Sequence, residues 1–404
     1  MIENGVNLEI SPGATVKFQD FYNIEVRGSI NAVGTADSRI TFTADNPENF
    51  QFDETETGSW NGIDFYETST MNESSVFNYC IFEYSKDTEE VGKGGVFFLF
   101  EYSNLKVLNS IFRNNYSTYG GAVYCTNFSS PIINNCLFYL NYGKEGGSAL
   151  MNHDSYPQLI NNTLTANVVT NPTESYRTGV IHNIFSKPLT KNNIIWNNYS
   201  NYYVDIQIME PKAFYSTYNN IQFGLSGVGN IEEDPRFTDD NSHNYTLSEN
   251  SPCIDAGDPE FLNTLCDTDL AGNERFFDGD ENGTPIIDMG AYEYITTAIA
   301  HPQEDSEKQI RFNFYPNPTS SETKNQKGCQ IYYEINSPGQ TKITIYNIKG
   351  RRIKTLVNRY SNSGSHSINW NGKDDFSRAV PTGNYFIRLQ QKGIDKTKKI
   401  LIIN

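Results

Sequence analysis

No apolar run in this 404-residue chain approaches the ~20 residues that a membrane helix needs. Tryptophan (3), methionine (5) and histidine (5) are scarce. The six cysteines form no CxxC pair and no Cys/His group at zinc spacing, which excludes a structural zinc site. Cys253 and Cys266 are close in sequence within a loop-rich stretch, where they make either a disulfide or two buried thiols. Residues 1–5 run straight into a strand pattern, with neither the basic nor the apolar region of a signal peptide.

Basic residues are scarce too, but only in one part of the chain. Residues 1–304 carry 14 Lys and Arg against 41 Asp and Glu, a balance of −27, whereas residues 305–404 carry 17 against 7, a balance of +10. The acidic part lacks the clustered cations that phosphate binding requires, so nucleic acid is excluded as its partner. The chain is rich in Tyr (26), Phe (25), Gly (30) and Asn (48). Aromatics suit a pleated surface and Asn tolerates left-handed turns, so the composition predicts short strands between tight turns rather than long helices. At this length more than one folded unit is expected.

A repeat organises residues 78–221. Aligning Tyr79-Cys80-Ile81-Phe82, Asn109-Ser110-Ile111-Phe112, Asn135-Cys136-Leu137-Phe138, Asn162-Thr163-Leu164-Thr165, Asn192-Asn193-Ile194-Ile195 and Asn219-Asn220-Ile221 puts Ile81, Ile111, Leu137, Leu164, Ile194 and Ile221 in register. The interval is about 26 to 30 residues. Gly94-Gly95, Gly120-Gly121 and Gly146-Gly147 recur as a second marker. Without helical apolar spacing or an LxxLxL register, this period fits one turn of a right-handed parallel β-helix. Coils stacked at ~4.8 Å place like residues in ladders, so an Asn before each anchor can bond the Asn of the next coil and also occupy the turn. Short strand patterns before residue 70 predict shorter coils at the start, and roughly nine coils in all would make a rod on the order of 40 Å long. Cys80 and Cys136 then stand two coils apart, ~9.6 Å, too far for a disulfide.

Phe112-Arg113-Asn114-Asn115 with Gly120-Gly121-Ala122-Val123, and Phe138-Tyr139-Leu140-Asn141 with Gly146-Gly147-Ser148-Ala149, resemble the FxxN and GGA(I/L/V) pair of polymorphic outer-membrane protein repeats. Ser251-Pro252-Cys253-Ile254-Asp255-Ala256-Gly257-Asp258, Ala271-Gly272-Asn273-Glu274-Arg275 and Ile287-Asp288-Met289-Gly290-Ala291-Tyr292-Glu293-Tyr294 resemble the segment that ends many bacterial extracellular β-helix proteins. Such a segment is expected to cap the open strand edges of the helix end.

A second all-β unit follows. Lys342-Ile343-Thr344-Ile345-Tyr346 alternates, Asn347 to Gly350 supplies a turn, and six or seven short strands fit an immunoglobulin-like sandwich. Tyr315-Pro316-Asn317-Pro318, Ile345-Tyr346-Asn347, Trp370-Asn371-Gly372, Gly383-Asn384-Tyr385-Phe386 and the Lys398 to Ile403 ending make it similar to the type A sorting domain of type IX secretion, itself related to the immunoglobulin-like domain of flagellar hook-capping proteins. Thr319 stands where that family often carries an aromatic. The expected layout is therefore a β-helix over residues 1–294 with its cap from about 225, a linker over 295–313, and an immunoglobulin-like unit over 314–404. The resemblance implies the outer-membrane secretion machinery as partner, a secreted or cell-surface location on a Gram-negative bacterium, and an export signal outside the given sequence.

Asp278-Gly279-Asp280-Glu281-Asn282-Gly283 spaces oxygen ligands as Ca²⁺ requires, with Met289 where an EF-hand has its Glu, so Asp278, Asp280, Asn282 and Asp288 are candidate ligands or a solvated turn. Tyr116, Tyr119, Tyr139, Tyr142, Tyr199, Tyr202 and Tyr203 recur after the anchor strands and are candidates for stacking on a polysaccharide, against packing of turn on turn. Many parallel β-helices, the pectin-lyase-like ones among them, cleave acidic polysaccharides. Asp64, His153-Asp154, Arg177, His182 and Asp205 are the residues such an activity could use, but they form no motif. The leading expectation is a non-catalytic adhesion or glycan-binding protein. The alternative is an extracellular polysaccharide lyase or glycoside hydrolase.

Overall fold

The computed structural model describes residues 1–89, 94–170, 179–200, 206–209, 215–260, 266–280, 282–295, 312–315, 329–335, 337–392 and 394–402. The chain divides into two compact units, Met1–Thr297 and Ala298–Asn404. The first is a right-handed parallel β-helix with three faces. One sheet has eight strands, from Asn7–Ile10 to Tyr215–Thr217; the second has eight, from Thr15–Phe18 to Asn220–Ile221; the third has seven, from Ile24–Glu25 to Ile206–Met209. Among the described residues this makes eight coils, against the nine expected.

Register dictates the core. Phe42, Phe82, Phe112, Phe138, Leu164, Ile195 and Ile221 pair coil to coil in the second sheet, all pointing inward and buried. Ring centroids lie 5.1 Å apart from Phe42 to Phe82, 4.9 Å from Phe82 to Phe112 and 4.4 Å from Phe112 to Phe138. Each such ring removed from water contributes roughly 2–3 kcal/mol.

This register corrects the alignment read from the sequence. Ile81, Ile111 and Leu137 do pair, but Leu137 then faces Thr163, and Ile194 faces Asn220. Leu164 and Ile221 belong one residue on, in the inward row. A slip of one residue exchanges the faces of a strand, and alternation could not expose it because both faces of this sheet are apolar. The early coils also differ from expectation. Thr15 to Thr41 is a coil of ordinary length, but the next, from Thr41 to Ile81, is the longest, since it carries the excursion at residues 45–59.

Two ladders of buried Asn stitch the corners. Asn115, Asn141 and Asn167 each pass an Nδ2–H to the Oδ1 of the next at 2.8–2.9 Å, the last to Asn198. The same amide groups bond carbonyls of Phe82, Phe112, Phe138 and Leu164. Asn162, Asn193 and Asn219 repeat the arrangement, and Asn230 ends it. Asn109 and Asn135 combine both expected roles, with φ of 45° and 56° and a side-chain bond between them at 3.1 Å. The Gly pairs meet a different demand: a Cβ on Gly121 would overlap the Ser148 carbonyl oxygen, so the coils close only with Gly there.

The segment expected to cap the helix end lies elsewhere. Among the described residues, 225–233 close the last coil, with Ile221 N–H bonded to Ile231 O at 3.0 Å and the Asn220 amide donating to Glu233 O at 2.7 Å. The chain then turns back along the outer face of the second sheet. Gly290 N–H reaches Asn192 O at 2.7 Å, Ala291 N–H reaches Thr163 Oγ1 at 3.0 Å, and Asn135 Nδ2 reaches Thr268 O at 2.9 Å. Arg39 donates to Leu270 O and so ties the segment to the second coil. Its Leu270, Tyr245 and Ala291 cover Leu137 and Tyr139, and Leu247, Cys253 and Met289 cover Ile194. Apolar outward residues in the strands explain the placement, since they have to be buried somewhere. Cys253 sits beside Asn220 and Cys266 beside Asn109, coils apart, so both stay buried thiols and the disulfide alternative is excluded. Cys80 and Cys136 also carry no disulfide.

The second unit is a sandwich of two antiparallel sheets. Phe312–Tyr315, Cys329–Ile335 and Gly364–Trp370 form one; Arg352–Ser361, Gly339–Asn347, Gly383–Gln391 and Ile394–Ile402, in that order, form the other. Trp370 is fully buried against Tyr385, with centroids 5.9 Å apart. The Tyr385 hydroxyl donates to Pro381 O at 2.9 Å, a corner bond familiar from immunoglobulin-like domains. Residues 296–311, most of the expected linker, lie outside the described residues.

Asn141 lies inside the first ladder, where its amide serves Asn115, Phe112 O and Asn167 together. Asn141→Ala leaves these groups unpaired and is expected to cost about 3 kcal/mol or more in urea unfolding. Asn127→Ala, at an exposed turn, is expected to cost about 1 kcal/mol or less.

Candidate functional site

The acidic loop gathers carboxylates, though not the predicted set. Gly283, at φ 89°, lets the chain curl so that Asn282 N–H and Gly283 N–H both bond the Asp278 carboxylate, at 3.0 and 2.8 Å. Asp280 N–H bonds Asp255 Oδ2 at 2.9 Å. Asp255, Asp278 and Asp280 therefore each present an oxygen within 4.8 Å of the others. Asn282 turns to local bonding, accepting from Thr284 N–H at 2.9 Å. Asp288 is corrected out of the set, because it points into the protein. Asp255 was missed: its resemblance motif was legible, but the docking of that loop on the DxDxNG loop is tertiary.

Asp288 belongs to a buried ionic centre in the flank segment. Arg275 is fully buried, with Nε 3.2 Å from Glu293 Oε1 and Nη2 donating to the carbonyls of Asp288 and Gly290 at 3.0 and 3.1 Å. The Asp288 carboxylate accepts from Asp255 N–H at 2.7 Å and Tyr294 N–H at 2.6 Å. Burial pushes its pKa up to about 7 against these bonds and the pull of Arg275. Burial raises Glu293 as well, and Arg275 opposes the rise. The centre pins the flank segment where it crosses the coils.

The tyrosine row is covered rather than open. Residues 47–56 lie over it as a strap: Phe52 stacks on Tyr142 at 3.7 Å, and Lys144 pairs with Glu54 at 2.6 Å. Lys86 lies 4.7 Å from the Phe50 ring centroid and 5.8 Å from that of Tyr116, and donates to Thr55 O. Tyr116 is 3% exposed. Tyr139, 7% exposed, packs against Tyr245 of the flank segment. Tyr119 is half-buried and donates to Glu145. Turn packing therefore accounts for these rings, and of the described ones only Tyr199 is largely exposed. Tyr202 and Tyr203 lie outside the described residues.

The lyase candidates among the described residues do not converge. Asp64 and His182 occupy one outward row of the third sheet four strands apart, roughly 19 Å. That exceeds the separation of paired glycosidase carboxylates. Asp64 accepts from Asn23 at 2.8 Å. His182 is buried, which pushes its pKa down to about 4. His153 stands 3.6 Å from Asp154. Arg177 and Asp205 lie outside the described residues.

Residues 317–394 match the FlgD Ig-like domain family. The match falls within the second unit and does not reach the β-helix. No curated protein matches the chain. Among solved structures, the chain is similar to PorZ of Porphyromonas gingivalis, described as an essential bacterial surface component of its type-IX secretion system, at 18% identity and a TM-score of 0.18. The alignment covers 23% of this chain and only 11% of PorZ. A likeness of that extent carries no argument about this chain.

The ionic centre has a pH consequence. The folded chain holds the Asp288 proton up to pH about 7, whereas an unfolded Asp releases it near 3.8. Between these values the folded state binds more protons, so this group's contribution to stability falls as pH rises and levels off above about 7. Asp288→Asn is expected to remove this group's share of the fall: between pH 5 and pH 7.5 the unfolding midpoint of the wild type should drop more than that of the variant.

Proposed function

We propose that the protein is displayed or secreted by a Gram-negative bacterium as a non-catalytic adhesion or glycan-binding rod, with its second unit serving export through the type IX route. The observation that carries this reading is a match to the FlgD Ig-like domain family that follows a parallel β-helix in the sequence of one chain. The motifs of residues 315–403 that resemble a sorting domain support it. So does the charge contrast, a basic tail behind an acidic rod. The spread of Asp64, His153 and His182 over separate positions favours binding over catalysis among the described residues.

Deleting residues 314–404 in the producing cell tests the export role. The units have separate cores, so the truncated rod is expected to fold, to resist proteolysis and to accumulate in the periplasm. Truncated protein on the cell surface would contradict the reading.

Calcium at Asp255, Asp278 and Asp280 belongs to the same proposal. Three carboxylates at this separation suit a hard cation with oxygen ligands at ~2.3–2.6 Å. Millimolar Ca²⁺ is expected to raise the unfolding midpoint of the wild type and to leave Asp278→Asn/Asp280→Asn unchanged; equal response of the two would remove calcium from the account.

A further inference from the structure

Covering of the tyrosine row leaves the question of where a glycan would bind, and the opposite corner of the rod supplies a surface. At or just past the ends of the third-sheet strands, five consecutive coils carry an aromatic side chain, not all in one register. Phe100 heads a row that continues through Thr126, His153 and Ile184, with Tyr66 in the coil before it, whereas Phe128, Tyr156 and Phe185 follow in the turns beyond that row. Tyr66 is 44%, Phe128 65% and Phe185 50% exposed. Two of the neighbouring pairs stay close, with centroids 5.2 Å apart for Tyr66 and Phe100 and 6.4 Å for Phe128 and Tyr156, the latter nearly parallel at 20°, and Phe185 lies 6.2 Å from the His153 ring. Isolated exposed aromatics need no explanation, but their recurrence at one corner of five consecutive coils does.

The backbone makes the line more pointed. The turn here places Glu67, Glu101, Asn127, Asp154 and Phe185 at φ of 48° to 54°, and Phe128 at 64°. Asn and Asp tolerate this conformation, whereas a bulky aromatic is an outlier in it. At Phe128 and Phe185 an unfavourable backbone and an unfavourable exposure coincide. Neither ring is needed to fill the core.

We propose that this corner is the glycan-binding surface, and that its ligand is an uncharged, extended polysaccharide lying along the rod. The inference rests on the glycan-binding reading above and deepens it. Glu67, Glu101 and Asp154 border the rings on the same corner, within a unit of strongly negative charge. They repel anionic polymers. A second copy of this acidic unit would have to bury them without matching cations. A neutral sugar chain offers aliphatic ring faces to the aromatics and hydroxyls to the carboxylates. Aromatic rings on five successive coils give a polymer several weak contacts where a monosaccharide makes only one.

Native affinity electrophoresis of the full chain, through gels holding hydroxyethylcellulose, laminarin, galactomannan, alginate or polygalacturonate, tests the proposal against Phe128→Ser/Phe185→Ser. Both side chains are exposed, so the variant should keep the wild-type melting curve; Tyr142→Ala, under the strap, is the second variant. The expected result is retardation of the wild type by at least one neutral polymer, at least tenfold weaker binding by the double variant, and unchanged binding by Tyr142→Ala. Neutral-polymer binding that the double variant retains would overturn the surface while leaving the glycan reading intact. Binding confined to the two acidic polymers would do the same. If the wild type binds none of the polymers, the glycan reading and this surface fall together. If sedimentation instead shows wild-type self-association that the double variant abolishes, the corner is a contact between copies and the proposal is wrong.

Discussion

Parallel pairing of each coil with the next, in a fixed register, is the constraint from which the rest of the first unit follows. Once Phe112 pairs with Phe138, every equivalent position stacks. A residue is then selected for its fit to its own kind above and below. Rings stack on rings in the second sheet, and Asn amides chain through the corners because each offers a donor and an acceptor along the rod axis. The Gly pairs mark where two coils approach too closely for a side chain. Stability in such a stack is shared between neighbours, so a defect in one ladder weakens the coils it joins rather than the whole rod evenly.

Stacking also creates surfaces that must be dealt with. Outward Ile111, Leu137, Ile194 and Trp196 form an apolar band on the second sheet, and the segment at residues 235–294 lies on it instead of on the helix end. Its buried Arg275 lies beside Glu293 and donates to the Asp288 and Gly290 carbonyls where the segment crosses. Residues 47–56 cover Tyr116 and Tyr142 in the same way. What remains uncovered is then informative: the corner bearing Phe128 and Phe185 has no strap among the described residues, and it supplies the binding surface proposed for the rod.

Legibility in the sequence followed the same physics. The β-helix could be read because Asn and Gly recur at positions where few alternatives work. The immunoglobulin-like unit could be read because its strands alternate cleanly between named turns, and residues 317–394 match a family of that fold. Register was harder. Ile81, Ile111, Leu137 and Ile194 were aligned correctly, but Leu164 and Ile221 slipped by one, since the flank segment makes both faces of these strands apolar. The same hidden partner misdirected the reading of the site. Tyr116 and Tyr139 looked like outward aromatics because nothing local reveals that residues 47–56 and Tyr245 cover them. Asp255 joins Asp278 and Asp280 only through the meeting of two loops, whereas Asp288, adjacent in pattern, turns inward to the N–H groups of Asp255 and Tyr294.

Distance along the rod tests the stacking claim most directly. Glu9, Asn31, Val76, Lys106, Ile132, Gln158, Leu189 and Tyr215 form one outward row of the first sheet, a coil apart at each step. Spin labels at residues 9 and 158 should therefore lie ~24 Å apart, and at residues 9 and 215 ~34 Å apart, rising by ~4.8 Å per coil whatever the number of residues in the coil. Pulsed electron-electron spin resonance on these pairs, with the buried thiols left unlabelled, reads both values. Distances that track sequence separation instead of coil count would contradict the register, and with it the ladders and the binding corner built on it.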